Sequence, residues 1–298
     1  MKKEHILIIR FSALGDVAMA VPVVYSLAMT YPHVRITVLS RGFARPFFED
    51  LAPNVSFMEA DIKGEYRGIK GLNALYRRLV AKKPTAVADF HGVLRSTYLR
   101  MRFNMERFRV EHINKHRSGK RALTSSSDKR MVQQPTSFDN YAEVLARLGY
   151  PIKLQFSSIF GNEGGDLSLL PAAIGKRNEG EQWIGIAPFA AHKGKVYPPE
   201  MMERVIDLIE ENNPHCRIFL FGRGRDESHT FPEWCARHSH CIFVGDHLDT
   251  MRQELVLMSH LDVMVSMDSA NMHMASLTGT PVVSVWGATH PYAGFMGW

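Results

Sequence analysis

Along this chain, short apolar runs rich in β-branched residues alternate with longer runs in which apolar positions recur at helical spacing. The short runs lie at 5–10 (HILIIR), 35–39, 55–59 and 85–90, then at 183–188 (WIGIAP), 217–221, 242–245, 261–267 and 282–286. Having almost no polar alternation, they predict strands buried on both faces of a parallel sheet. The longer runs at 17–30, 72–81, 138–148, 200–211, 250–260 and 271–278 predict helices. Strand alternating with helix is the pattern of a doubly wound α/β fold. A glycine-rich stretch, GNEGGD at 161–166, reads as a linker dividing the chain into domains 1–165 and 166–298, each long enough for its own core.

The most informative stretch runs from Leu261 to Pro291: LDVMVSM, then DSANMHMASLTG, then TPVVSVWGATHP. Asp268 and Ser269 follow a strand directly and are good N-cap residues. Gly279 suits a helix C-terminus, and Pro281 stops continuation. A helix thus starts at the carboxyl end of a strand, where open α/β sheets bind ligands and free N–H groups suit a phosphate. His273 falls in the first helical turn, facing the same anion. The plainer reading is that Asp268 and Ser269 only cap the helix.

Composition narrows the class. Apolar residues make up 45% and charged residues 22%, ordinary for a globular protein. Cys216, Cys235 and Cys241 form no C-x-x-C pair, and Cys216 and Cys241 lie on strand-like runs, predicting buried thiols in a reducing compartment. Arg10 and Asp16 interrupt the first apolar run, which argues against a signal peptide or membrane span and for a cytoplasmic protein. Charge is divided unevenly: residues 1–150 hold 25 Lys and Arg against 13 Asp and Glu, and residues 151–298 hold 11 against 17. The basic half suits an anionic partner, whether nucleic acid, lipid headgroups or a phosphorylated sugar. Its densest stretch, 115–130 (KHRSGKRALTSSSDKR), reads as an exposed loop. That stretch lacks the interleaved aromatics of single-strand nucleic-acid grooves, so no nucleic-acid partner is expected. No D-x-D motif or His/Cys cluster predicts a metal.

Two motifs carry a family resemblance. Asp268-Ser-Ala-Asn-Met-His273, with Gly279-Thr-Pro-Val-Val and Gly287-Ala-Thr-His-Pro291, resembles the D-S-G-x-M-H-x-A-x-x-x-G-T-P-V-V-x-x-x-G-x-T-x-P signature of glycosyltransferase family 9, the ADP-heptose:lipopolysaccharide heptosyltransferases and their relatives. Ile9-Arg10-Phe11-Ser12-Ala13-Leu14-Gly15-Asp16, with Pro22, resembles its N-terminal I-R-x-S-x-L-G-D-x-x-x-x-x-P signature. The resemblance implies a GT-B arrangement: two Rossmann-like domains with parallel sheets facing a central cleft, acceptor in the first and nucleotide-sugar donor in the second. Asp16 would be the general base, although it could simply cap the next helix. Ser12, Gly15, His91 and Arg95 would face the acceptor, the last two within a D-x-x-G-x-x-R-S-like segment, and Lys120 and Arg121 would contact its anionic groups. Lys195 matches the donor loop's phosphate-binding lysine, behind Ala190 and Ala191, which stand where many members carry hydroxyls. Asp268, Ser269, Ala270 and His273 would surround the diphosphate; Ala270 replaces the signature glycine. An acidic residue after the 217–221 strand, Asp226 or Glu227, would contact the nucleoside unless GRGRD is merely a solvated loop.

The resemblance further implies inversion at the anomeric carbon, no cofactor and no metal beyond an ADP-sugar donor, a lipid-linked glycan acceptor, and transient contact with the inner membrane. Members usually continue past the position of Trp298 with a terminal helix, so the second domain is expected to be cut short at its end. A nucleotide-sugar epimerase of the same fold and a non-catalytic binder of anionic lipid or glycan remain as alternatives.

Overall fold

The first strand, β1 (His5–Ile9), is buried at every residue, and the sheet grows outward from it in both directions. In this computed structural model, which describes residues 4–127 and 129–298, β2 (Arg35–Ser40) and β3 (Val55–Glu59) add on one side, and β4 (Ala86–Asp89) and β5 (Arg109–His112) on the other. All the pairings are parallel, giving the order β3-β2-β1-β4-β5. The second half repeats the plan. β6 (Gln182–Ala187) is central, with β7 (Cys216–Leu220) and β8 (Cys241–Phe243) on one side and β9 (Val263–Met267) and β10 (Val282–Val285) on the other. The α/β class, the parallel sheets and most strand positions agree with the hydrophobic pattern.

The helices are α1 (Leu14–Ala18), α2 (Val21–Thr30), α3 (Arg45–Phe48), α4 (Gly68–Ala81), α5 (Leu94–Met105), α6 (Arg117–Leu123) and α7 (Ser137–Arg147) in the first half. In the second they are α8 (Pro199–Asn212), α9 (Arg225–Arg237), α10 (Met251–Met258) and α11 (Ala270–Leu277). Leu75, Tyr76 and Leu79 of α4 and Leu99 and Phe103 of α5 form one buried cluster with Leu7, Ile9 and Val87 of the first sheet. Met202 and Ile206 of α8 and Phe231 and Trp234 of α9 do the same for Ile184, Ile186, Ile218 and Leu220. Cys216 and Cys241 are buried, Cys235 is half-buried, and all three are free thiols. Among the described residues, no helix is long and apolar enough to cross a membrane.

Four expectations need correction. The 17–30 run is two helices, with Pro22 in the first turn of α2 where its missing N–H costs nothing. The basic 115–130 stretch is not all loop: 117–123 is α6, anchored by Leu123, which is 1% exposed; Asp128 lies outside the described residues. GRGRDE is a turn only at its start, since Arg225 onward is α9. The chain divides into Met1–Phe156 and Ser157–Trp298, ahead of the expected boundary at 165/166. The glycine-rich stretch belongs to the second unit: the Gly165 N–H donates to Ser259 Oγ at 2.9 Å, and the Gly165 carbonyl lies 2.7 Å from His260 Nε2. A Cβ on Gly165 would sit 2.8 Å from Val256 Cγ2, so glycine serves close packing here rather than flexibility.

Phe231 meets Phe189, Trp234 and Phe243 at ring-centroid distances of 5.7, 5.8 and 5.2 Å. Phe231→Ala is expected to cost ~3–5 kcal/mol, as large-to-small core changes do. Urea unfolding followed by tryptophan fluorescence measures it; a loss under ~1 kcal/mol would mean that this cluster is not the core of its unit.

Candidate active site

Each unit carries a polar cluster where its two central strands end. In the second unit these strands are β6 and β9, paired in parallel from Ile184↔Val263 to Ala187↔Ser266. The loop after β6 brings Lys195 to the residue following β9: Lys195 Nζ lies 2.6 Å from Asp268 Oδ2. Thr289 Oγ1, from the loop after β10, donates to the same carboxylate oxygen at 2.5 Å. Asp268 is 4% exposed and Lys195 21%, so the pair is well desolvated while the ammonium still reaches the surface. The loop spacing depends on Gly287. The Ala288 N–H donates to the Gly194 carbonyl at 2.7 Å, and a Cβ on Gly287 would lie 2.4 Å from that oxygen.

Helix α11 starts directly behind Asp268. Ser269 is its N-cap residue but makes no side-chain capping bond; its Oγ lies 3.3 Å from Ser266 Oγ, and the Asp268 carboxylate is held by Lys195 and Thr289. The plain capping reading therefore fails. The first N–H groups of an eight-residue helix are left without a side-chain cap beside a lysine, an arrangement suited to an anion. Ala270 is the first helical residue; His273 lies one turn in and is buried, 6% exposed.

In the first unit the central strands are β1 and β4, which end at Ile9 and Asp89 as register partners. Arg10 follows β1 and is 5% exposed. Its guanidinium donates to the Phe90 carbonyl at 2.7 Å, pairs with Asp16 Oδ2 at 2.5 Å, and lies 5.9 Å from the Tyr141 ring centroid. Asp16 is 34% exposed and also accepts from the Ala13 N–H at 3.3 Å, so it caps α1 and presents a carboxylate at once. His91 follows β4; its Nδ1 lies 3.4 Å from the Phe11 nitrogen, which donates. Burial, reinforced by Arg10 and Lys115, pushes the His91 pKa down to about 3, so the ring is neutral near pH 7. Burial also pulls the Lys115 and Lys120 ammonium groups below the usual lysine range; at Lys120 the nearby Asp16 carboxylate acts in the opposite sense.

Of the expected site residues, Asp16 lies within electrostatic reach of both His91 and Lys120, and Arg95 acts on His91. Ser12 lies in the same loop and Gly15 in α1, while Arg121 is exposed on α6. Lys195, Asp268, Ser269 and Ala270 gather at the other cluster. Ala190 packs against the core, leaving only its backbone for a ligand, and Ala191 is exposed. Asp226 and Glu227 stand in the first turn of α9, not in a loop. Glu227 folds back over its own turn, where a Cβ on Gly224 would meet its Oε2 at 2.2 Å. Nor is GRGRD simply solvated: Arg223 Nε pairs with Glu254 Oε1 at 2.5 Å. The expected list omits Arg10, Lys115 and Thr289, although Arg10 and Thr289 are fixed letters of the two signatures.

Comparison with known proteins identifies the family and the fold. The family "Glycosyltransferase family 9 (heptosyltransferase)" matches residues 72–293. The lipopolysaccharide core heptosyltransferase OpsX of Haemophilus influenzae is 22% identical over 291 residues, 97% of this chain and 80% of that protein. Among solved structures, a glycosyl transferase family 9 protein from Veillonella parvula superposes with a TM-score of 0.75 at 18% identity, covering 100% of this chain and 85% of the other. Escherichia coli heptosyltransferase WaaC with ADP gives 0.72 at 17% identity, covering 98% and 91%. The two-unit α/β fold is the fold of these GT-B enzymes.

The depressed His91 pKa carries a sign. Between about pH 6.5 and 3 the unfolded chain binds a proton at this histidine that the native protein excludes, so stability falls as pH drops through that window, by up to ~1.4 kcal/mol per pH unit. His91→Gln should flatten the acid limb of a Tm-against-pH curve and leave the curve above pH 7 unchanged in shape. Parallel curves for both proteins would contradict a neutral, buried His91.

Proposed function

The chain belongs to glycosyltransferase family 9, and from that premise we propose that it moves a sugar, by family precedent heptose, from an ADP-sugar to a lipopolysaccharide-core or related surface-glycan acceptor, with inversion and without a metal. The observation that carries the reading is Lys195 held against Asp268 beside the uncapped N-terminus of α11. The donor's diphosphate would take the helix N–H groups and the Lys195 ammonium as partners. Asp16, held by Arg10, would accept the proton of the acceptor hydroxyl. The oxygen so freed attacks the anomeric carbon, the bond from that carbon to the diphosphate oxygen breaks, and ADP leaves with the electron pair. The charge that then grows on ADP is where Lys195 and the helix N-terminus act most strongly, the place a metal ion would otherwise take.

Further support comes from the relatives: the Escherichia coli structure holds ADP, and the Haemophilus influenzae protein is a lipopolysaccharide core enzyme. We place the reaction in the cytoplasm, on an acceptor carried at the inner membrane. In this reading Ala190, Ala191 and Ala270 bind through backbone alone, and Asp226 or Glu227 contacts the nucleoside.

Thermal stabilisation by ADP, UDP, GDP and NAD at equal concentration tests the donor. A ligand at ~100 times its Kd adds ~2.7 kcal/mol, and ADP is expected to give the largest shift. A larger UDP or GDP shift would replace the donor, and no shift would remove the donor site. With the donor fixed, Asp16→Asn should lower kcat by ~10²-fold or more while ADP binding persists. Lys195→Ala should weaken both, because it meets charge in ground and transition states alike. A fully active Asp16→Asn enzyme sinks the base assignment.

A further inference from the structure

Helices α4 and α5 of the first unit present a surface that the transfer reaction does not use. Ile69 of α4 is 67% exposed, and Leu94, Met101 and Met105 of α5 are 90%, 49% and 72% exposed. Leu94, Tyr98, Met101 and Met105 recur at helical spacing, which puts them in one stripe along α5. The Tyr98 hydroxyl donates to Asn73 Oδ1 at 2.9 Å. Ile69 lies one turn before Asn73 and Leu94 one turn before Tyr98, so Ile69 extends the stripe across both helices.

Within the two helices all the charge is of one sign, while Glu106, the exposed C-cap residue of α5, stands next to Met105 at one end of the stripe. The two helices together carry Lys70, Arg77, Arg78, Arg95, Arg100 and Arg102 and no Asp or Glu. Arg78, Arg100 and Arg102 are engaged with Tyr66, Asp89 and Asn73 respectively. Lys70, Arg77 and Arg95 are exposed. Large apolar side chains standing in water, set among cations, form the pattern of a surface that lies in the headgroup region of an anionic bilayer. Nucleic acid fits less well: the exposed side chains are aliphatic or thioether, and the stripe's ring, Tyr98, is half-buried with its hydroxyl on Asn73.

We propose that the α4–α5 face docks this chain on anionic lipid. Leu94, Met101, Met105 and Ile69 enter the headgroup boundary while Lys70 and Arg77 meet lipid phosphates. Leu94 lies three residues beyond His91, at the sheet edge that carries Asp16, so docking would bring this edge to the surface where a lipid-linked acceptor stands. That purpose rests on the proposed function; the docking itself rests on the surface alone.

Co-sedimentation of the whole chain with phosphatidylcholine vesicles, with and without phosphatidylglycerol, tests it. Wild type should pellet with the anionic vesicles, less so as salt is raised, and hardly with the neutral ones. Replacing Leu94, Met101 and Met105 together by Gln should weaken vesicle binding by at least tenfold with Tm little changed, since Leu94 and Met105 stand mostly in water and Met101 is half-exposed. Lys70→Gln with Arg77→Gln should weaken binding to anionic vesicles about 30-fold, taking each cation at the surface value. Equal pelleting with both vesicle types, or a Gln triple variant that binds like wild type, overturns the proposal. So does full displacement of vesicles by a single-stranded oligonucleotide, which would assign the face to nucleic acid. Transfer to a soluble acceptor fragment should survive in the Gln triple variant. Absence of transfer in wild type that still binds vesicles would count against the proposed function and leave the docking face standing.

Discussion

The structure depends on one topological constraint, applied twice. A parallel sheet that grows in both directions from its first strand must send the loops after its two central strands apart, and a gap opens between them at the carboxyl edge. The orders β3-β2-β1-β4-β5 and β10-β9-β6-β7-β8 are the same plan. Each gap is filled by an ion pair or close polar contact. After β1, Arg10 pairs with Asp16 and reaches the Phe90 carbonyl while the Phe11 N–H reaches His91, both after β4; Lys195 after β6 meets Asp268 after β9. Chemistry collects there because these are the places where backbone N–H groups and side chains from distant parts of the sequence converge without a strand or helix covering them.

The two gaps are tuned differently. The first sets several cations around two carboxylates, Asp16 and the buried Asp89, and burial keeps its histidine neutral, so Asp16 faces basic groups of reduced proton affinity. The second is balanced, with one lysine to one carboxylate and a threonine completing the carboxylate's bonds. In the proposed reading the first site would take a proton and the second hold an anion, tasks that call for different surroundings.

Strands were legible in the sequence because burial on both faces leaves an apolar run that little else produces. The Asp268 and Asp16 neighbourhoods were legible as motifs that also contain their partners Thr289 and Arg10, yet nothing local links Lys195 to Asp268, 73 positions on. Helix α6 was missed because a single apolar anchor, Leu123, gives no periodicity amid glycine, serine and basic residues. The domain boundary was misread at Gly164-Gly165 because a glycine that frees a linker and a glycine that lets backbone approach Val256 look identical in one dimension. His273 read as facing the opening; it is buried because α11 is enclosed on all sides beyond its first two residues, with 272–277 all buried.

The Lys195–Asp268 pair also sets what can enter. With the two charges 2.6 Å apart the pair carries no net charge, so in the proposed reading the donor's diphosphate would compete with a carboxylate for the ammonium. A singly charged ligand gains little from that exchange. In the proposed reading, a group carrying two or more negative charges on adjacent oxygens would hold the ammonium and reach the α11 N–H groups together, so the site would screen donors by valence before shape.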